Sequence, residues 1–203
     1  MTAQAGDTLF PTPAARKSEL RKSLRRRRLA IGKARRKLCE RRAAVRLLRW
    51  RRLRQARHIA VYLSARSELS TATLIDRLLR QGRTVWVPAT AGTARMRFVM
   101  LRPGGKLRRG PLGLRQPARS RPCRAARRME MIVLPLLGFD AQGQRLGNGG
   151  GYYDRALAGP RPGRRPLLVG YAYAAQELAL LPAEAWDVRL DAVVTERELR
   201  RFI

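Results

Sequence analysis

The densest run of chemistry-capable residues is Arg145-Leu-Gly-Asn-Gly-Gly-Gly-Tyr-Tyr-Asp154. Gly147, Gly149, Gly150 and Gly151 let the main chain approach a phosphate closely, with its N–H groups turned inward. Arg145 can offer two parallel donors to phosphate oxygens. Asp154, one helical turn beyond the glycines, is placed to hold Mg²⁺ against the same phosphates. A helix beginning at the end of the run would add the positive end of its dipole. Neither standard phosphate loop is present. A Walker A motif would close on Gly-Lys-Ser/Thr where this run reads Gly151-Tyr152-Tyr153, and a dinucleotide fingerprint counted from Gly147 would need glycine at Tyr152. A ligand-free glycine turn is the bland alternative, but a mere turn has no need of Arg, two Tyr and Asp packed around it.

Other site chemistries find little footing. His58 is the single histidine. It cannot build a multi-histidine metal site, and no Gly-x-Ser-x-Gly or cysteine motif stands near it, so it reads as structural. Cys39 and Cys123 are far apart with no Cys-x-x-Cys spacing, as expected of two reduced thiols in a cytoplasmic protein.

The glycine run needs a scaffold behind it. His58–Leu63, Thr84–Val87, Arg97–Met100, Met131–Leu134, Leu167–Tyr173 and Ala192–Thr195 read as short buried strands, two of them ended by Pro88 and Pro135. Thr71–Gln81 reads as a helix, with Ser70 or Thr71 as its N-cap and Gly82 as its stop. Gly149–Leu157 turns from loop into helix, and 102–128 reads as irregular. Non-alternating apolar strands separated by helices predict an α/β fold. It is a three-layer architecture with a mainly parallel central sheet and helices on both faces. The glycine run then follows a strand end, where such sheets bind ligands.

At 203 residues with 45% hydrophobic content, the chain is expected to form one domain over 16–203, with 1–15 disordered. Residues 16–57 form a basic N-terminal helical segment preceding the sheet. Leu20, Leu24, Ile31, Ala34, Leu38, Val45 and Leu48 recur there at near-helical intervals. No leader or membrane span is expected. Lys and Arg number 45 against 14 Asp and Glu, a formal net charge of +31. Segment 16–57 holds 20 basic and 2 acidic residues, more than half of the excess. Such a field attracts nucleotides, polycarboxylates or nucleic acid.

Leu134-Pro135, Gly138-Phe139-Asp140 and Tyr152-Tyr153-Asp154-Arg155 together resemble the hallmark of the 5-formyltetrahydrofolate cyclo-ligase (5,10-methenyltetrahydrofolate synthetase) family. Lys17-Ser-Glu-Leu-Arg21, Tyr62-Leu63 with Glu68, and Trp186-Asp-Val-Arg-Leu-Asp191-Ala-Val-Val-Thr-Glu196 extend the resemblance over about residues 16–196. It implies ATP binding by Lys17, Arg21, Arg145, Leu146, Gly147, Asn148, Gly149, Gly150, Gly151, Tyr152 and Tyr153. It implies Mg²⁺ at Asp154 and Asp187, and folate contacts at Leu63, Glu68 and Tyr152. Trp186 reads as packing rather than as a stacking platform. The implied enzyme is a cytoplasmic monomer without membrane association. It uses ATP to phosphorylate the formyl oxygen of 5-formyltetrahydrofolate, which can carry a polyglutamate tail, and releases 5,10-methenyltetrahydrofolate, ADP and phosphate.

Two positions depart from the family pattern. Ser70 stands where an acid is usual, and Gln116, within Gly110–Pro117, stands where a glutamate is usual. They keep open a diverged ATP-binding homologue acting on another anionic substrate. The charge on 16–57 keeps open a nucleic-acid-binding protein on the same scaffold.

Overall fold

A computed structural model of the chain describes residues 12–91, 95–110, 115–117, 122–158 and 165–202. Three helices open it: α1 (Pro13–Leu29), α2 (Lys33–Arg49) and α3 (Arg51–Gln55). Helix α1 begins at Pro13, ahead of the expected start at 16. The Thr12 hydroxyl accepts from the Ala15 N–H at 3.3 Å, and proline suits the first helical position. Extended backbone at Gly32 and Trp50 separates the three helices. Arg36 covers carbonyls at the end of α1, its Nε donating to Ile31 O at 2.7 Å and its Nη2 to Arg28 O at 3.0 Å.

The buried face of α2 is Cys39, Ala43, Ala44 and Leu47, not the row expected from the sequence. Leu38 and Val45 remain 47% and 44% exposed. Small residues on the inner face let the helix lie close to the sheet, and period alone did not distinguish them from the larger apolar residues outside.

The strands are β1 (His58–Val61), β2 (Thr84–Ala91), β3 (Arg95–Met100), β4 (Leu107–Arg109), β5 (Arg115–Pro117), β6 (Cys123–Arg124), β7 (Met131–Leu134), β8 (Gly138–Phe139), β9 (Arg145–Leu146), β10 (Leu167–Tyr171), β11 (Ala192–Val194) and β12 (Leu199–Arg201). Helices α4 (Ala72–Arg80) and α5 (Tyr152–Leu157) complete the set. Eight strands form one sheet in the order β12-β11-β10-β7-β1-β2-β3-β6. The five central strands are parallel, and β12, β3 and β6 are antiparallel edges. The fold is therefore α/β with a mainly parallel sheet. The stretch 102–128 is more regular than expected: it supplies β4, β5 and β6, each of two or three residues and too short to leave a periodic signal.

Alternate strand residues face opposite layers. Ile59, Val61, Val85, Met131, Val133 and Val169 pack against α2, α3 and α4. Ala60, Trp86, Ile132, Leu134 and Leu168 pack against α5, the 3₁₀ turn at 126–128 and the loops beyond. Thr71 caps α4, yet its hydroxyl donates to Tyr62 O at 2.7 Å. The free N–H of Thr73 is instead taken by the Glu40 carboxylate of α2 at 3.1 Å, which ties the two helices together. His58 starts β1. Its N–H donates to the Glu130 carboxylate and its ring meets Trp86 edge-on at 5.9 Å, a structural setting.

Helix α1 lies apart from the main layers. Leu24 packs with Leu137, Leu146 and Leu181 over the β8–β9 hairpin. A Cβ at Gly138 would sit 2.8 Å from the Leu24 Cδ1, so that glycine permits the close approach.

Candidate functional site

Strand β1 leads through α4 to β2 on one side of the sheet, whereas β7 lies on its other side. The carboxyl ends of β1 and β7 therefore border the crevice where strand order reverses, the place for ligands in open α/β sheets. A cleft of about 700 Å³ occupies it, within the usual span of small-molecule sites. Loop 62–70 after β1 and loop 135–151 after β7 form facing walls.

The second wall is built on Asp140. Its buried carboxylate accepts N–H groups from Gln142 at 3.0 Å, Gln144 at 2.9 Å and Leu181 at 3.0 Å, closing the β8–β9 turn. That hairpin delivers Arg145 and the glycines. Gly149 and Gly151 adopt φ of 104° and 61°, values that side chains resist. A Cβ at Gly150 would meet the Tyr152 ring at 2.8 Å. Helix α5 is only six residues long, so the run rests on its own loop geometry more than on a helix dipole.

Charges in the cleft are paired with one another. Lys17 Nζ donates to Asp187 Oδ2 at 2.7 Å and also to Glu184. Burial works against the ammonium, but these two partners hold its pKa above the ordinary lysine value. Arg145 Nη2 pairs with the Asp154 carboxylate, while its Nε is buried without a partner among the described residues. Arg21 Nε donates to Gly147 O at 3.1 Å, Arg25 Nη2 to Asn148 O at 3.3 Å and Arg155 Nη2 to Gly150 O at 2.8 Å. Arg155 also stacks over the Tyr152 ring at 5.1 Å. Five cations thus converge on the glycine run and the acids beside it.

The opposite wall is drier. Burial raises the Glu68 carboxyl above the usual glutamate range, against the pull of the Ala65 N–H, which donates to it at 2.9 Å, and of Arg28. Burial pushes the neighbouring Tyr62 and Tyr153 hydroxyls up as well. Leu63, Pro88, Thr90, Met96 and Gln116 continue this side.

All the residues singled out in the sequence border this one cleft: Lys17, Arg21, Leu63, Glu68, the run 145–154 and Asp187. Trp186, expected to pack, is 69% exposed at the rim. Glu184, Arg25 and Arg155 were missed as site residues. Arg25 lies four residues after Arg21 on α1, so helical spacing could have flagged it, whereas Glu184 meets Asp187 through a non-helical turn, its N–H donating to Asp187 Oδ2 at 2.9 Å, which no helical period marks. At the two off-pattern positions, Ser70 Oγ accepts the Ala72 N–H at 3.3 Å. The Gln116 amide accepts from Thr90 N at 3.1 Å and donates to Thr90 O at 3.5 Å. Both side chains serve the main chain here.

Fold and cleft together define an α/β protein with an arginine- and lysine-lined crevice at the switch point of a mainly parallel sheet. The model of the 5-formyltetrahydrofolate cyclo-ligase family matches residues 13–196. The 5-formyltetrahydrofolate cyclo-ligase of Escherichia coli K12 is 35% identical over 177 residues, covering 85% of this chain and 96% of that protein. Its Haemophilus influenzae counterpart is 34% identical over 140 residues, covering 68% and 74%. The NMR structure of Aquifex aeolicus 5,10-methenyltetrahydrofolate synthetase superposes with a TM-score of 0.80 at 29% identity, covering 92% of each chain. The chain belongs to the 5-formyltetrahydrofolate cyclo-ligase family, a family of enzymes.

Proposed function

We propose that the chain closes the 5,10-methenyl ring of the folate at the expense of ATP. The γ-phosphoryl group passes to the formyl oxygen of 5-formyltetrahydrofolate as its bond to ADP breaks. Nitrogen 10 attacks the activated carbon, loses its proton, and phosphate departs with the former formyl oxygen. Family membership supports the reaction. The observation that carries it to this site is the convergence of Lys17, Arg21, Arg145 and the glycine run opposite Leu63 and Glu68 across one cleft.

Such a transfer needs positioning and charge neutralisation more than a protein nucleophile. Lys17, Arg21 and Arg145, with Leu146, Gly147, Asn148, Gly149, Gly150, Gly151, Tyr152 and Tyr153, would hold the ATP. Leu63, Glu68 and Tyr152 would hold the folate, Glu68 accepting from N–H donors of the pterin edge. The pairs Lys17–Asp187 and Arg145–Asp154 would act as placeholders. Incoming phosphates take the cations and free the carboxylates.

Mg²⁺ fits those carboxylates. Among the described residues no three His, Cys, Asp or Glu side chains form a ready-made metal site. Mg²⁺ commonly uses one or two carboxylates together with substrate phosphates and water. Asp154 and Asp187 would supply the carboxylates, and the ion would neutralise phosphate charge. No described helix is long and apolar enough to cross a membrane, and we read the enzyme as a cytoplasmic monomer, one domain over 16–203. The cleft draws only a few cations from α1; most other arginines of α1 and α2 point to solvent, free to favour anionic substrates, polyglutamate tails included.

Thermal denaturation with each ligand tests the reading. ATP and 5-formyltetrahydrofolate should each raise Tm. Stabilisation by ATP alone would favour the diverged homologue with another anionic substrate, and stabilisation by neither would overturn the proposal.

A further inference from the structure

Lys17, Arg21, Leu24 and Arg28 follow one another at i, i+4, i+7 and i+11 and so share one stripe of α1. The first two reach the phosphate half of the cleft and the third packs on the β8–β9 hairpin. Arg28, about 16 Å along the helix from Lys17, lies behind the cleft and reaches the loop that carries Glu68. It is 5% exposed. Its Nε donates to the buried Ser67 hydroxyl at 3.2 Å, and its carbonyl is pinned by Arg36. Its Nη1 is buried without a partner among the described residues. A guanidinium with five donors is poorly matched to one serine hydroxyl, because burying a charge is costly without a compensating one. The charge that favours this cation is the carboxylate of the next residue, Glu68, which Arg28 in turn draws toward its ionised form.

Ser67 and Glu68 belong to the loop between β1 and α4. The loop bends at Arg66, whose φ is 53°, and is fastened from below. The Tyr62 hydroxyl donates to Leu69 O at 2.8 Å, and the Tyr173 hydroxyl donates to Glu68 O at 3.4 Å. Arg28 is the charged member of this underpinning.

We infer that Arg28 is a positioning residue for the folate half of the cleft: through its hydrogen bond to Ser67 it holds the loop from which the next residue, Glu68, is aimed at the pterin. The inference rests on the proposed contact between Glu68 and folate. It makes α1 a single strut, with nucleotide-binding charges at its start and a folate-loop anchor near its end. The groups facing Glu68 are Arg28 from α1, Arg66 from its own loop, Asn148 from the glycine run, Tyr62 after β1 and Tyr153 on α5. Burial keeps the two tyrosines neutral, so Arg28 and Arg66 are the charges that pull the carboxyl toward its ionised form, against its own burial.

Steady-state kinetics of Arg28→Met, Arg28→Lys, Ser67→Ala and Glu68→Gln across pH decide it. Arg28→Met should raise KM for 5-formyltetrahydrofolate about 10- to 100-fold, the usual worth of a charged hydrogen bond. KM for ATP should stay within about twofold. The rise in folate KM on acidification should begin at higher pH than in the wild type. Arg28→Lys should recover part of the loss, and Glu68→Gln should add little in the Arg28→Met background. Equal losses toward both substrates with an unmoved pH profile would reduce Arg28 to a structural brace and overturn the inference. If Arg28→Met does not fold, Arg28→Lys and Ser67→Ala carry the same contrast. A wild-type folate KM unaffected by Glu68→Gln would instead overturn the folate contact on which this rests.

Discussion

Replacing Asp154 by Asn keeps the side chain's shape and removes its charge. The Arg145 side chain is 4% exposed and Asp154 27%. Removing one partner of a buried pair costs about 3–5 kcal/mol. The partial exposure of Asp154 and the amide oxygen that survives reduce this to about 1.5–3 kcal/mol. In a domain of this size each kcal/mol moves Tm by about 2–4 °C, so Tm should fall by about 3–12 °C. The variant leaves Arg145 as an uncompensated cation, with Nε already unpartnered. ATP without divalent metal should therefore stabilise the variant more than the wild type, since phosphate no longer displaces a carboxylate. With Mg²⁺ present, kcat should drop about a hundredfold or more, corresponding to ~2.7 kcal/mol of lost transition-state stabilisation. Scanning fluorimetry with and without ATP, followed by turnover, measures all three. A wild-type Tm, or an ATP shift smaller than the wild type's, would refute the reasoning.

Other perturbations separate the parts. Gly149→Ala forces a side chain into φ near 104° and should cost about 1–3 kcal/mol. It should raise KM for ATP and spare KM for folate, as initial rates against each substrate would report. Glu68 has its folded pKa raised by burial, so its ionised form lowers stability once pH rises through that value, and relief comes on acidification. Glu68→Gln should accordingly raise Tm near neutral pH, with the gain vanishing in acid, while folate affinity falls; a melt series over pH checks the sign. Glu40→Ala removes the carboxylate that accepts from Thr73 N and Oγ1. It should cost about 1 kcal/mol and lower Tm with both KM values unchanged, a control for stability effects.

The parallel sheet was legible because β1, β7 and β10 are short apolar runs buried on both faces, and few other structures bury such runs. The glycine run was legible because positive φ at Gly149 and Gly151 is a local demand that a side chain would resist. What lay hidden was relational. The inner face of α2 is marked by Ala43 and Ala44 rather than by its larger apolar residues, which period alone cannot reveal. Helix α1 carries arginine on every side, so composition could not say that Lys17, Arg21 and Arg28 face inward while Arg26 and Arg27 face out. Lys17 and Arg21 came from family resemblance, and Arg28 from neither source. Its partners, Ser67 and Glu68, lie about 40 residues away, and only folding brings them together.

The central claim is that this cleft joins an ATP phosphate site to a folate site for one reaction. Purified protein incubated with 5-formyltetrahydrofolate, ATP and Mg²⁺ tests it directly, followed by the absorbance of the methenyl product and by ADP. The account predicts methenyl product and ADP appearing in equal amounts, with neither formed when one substrate is withheld. Unchanged folate and intact ATP would contradict it.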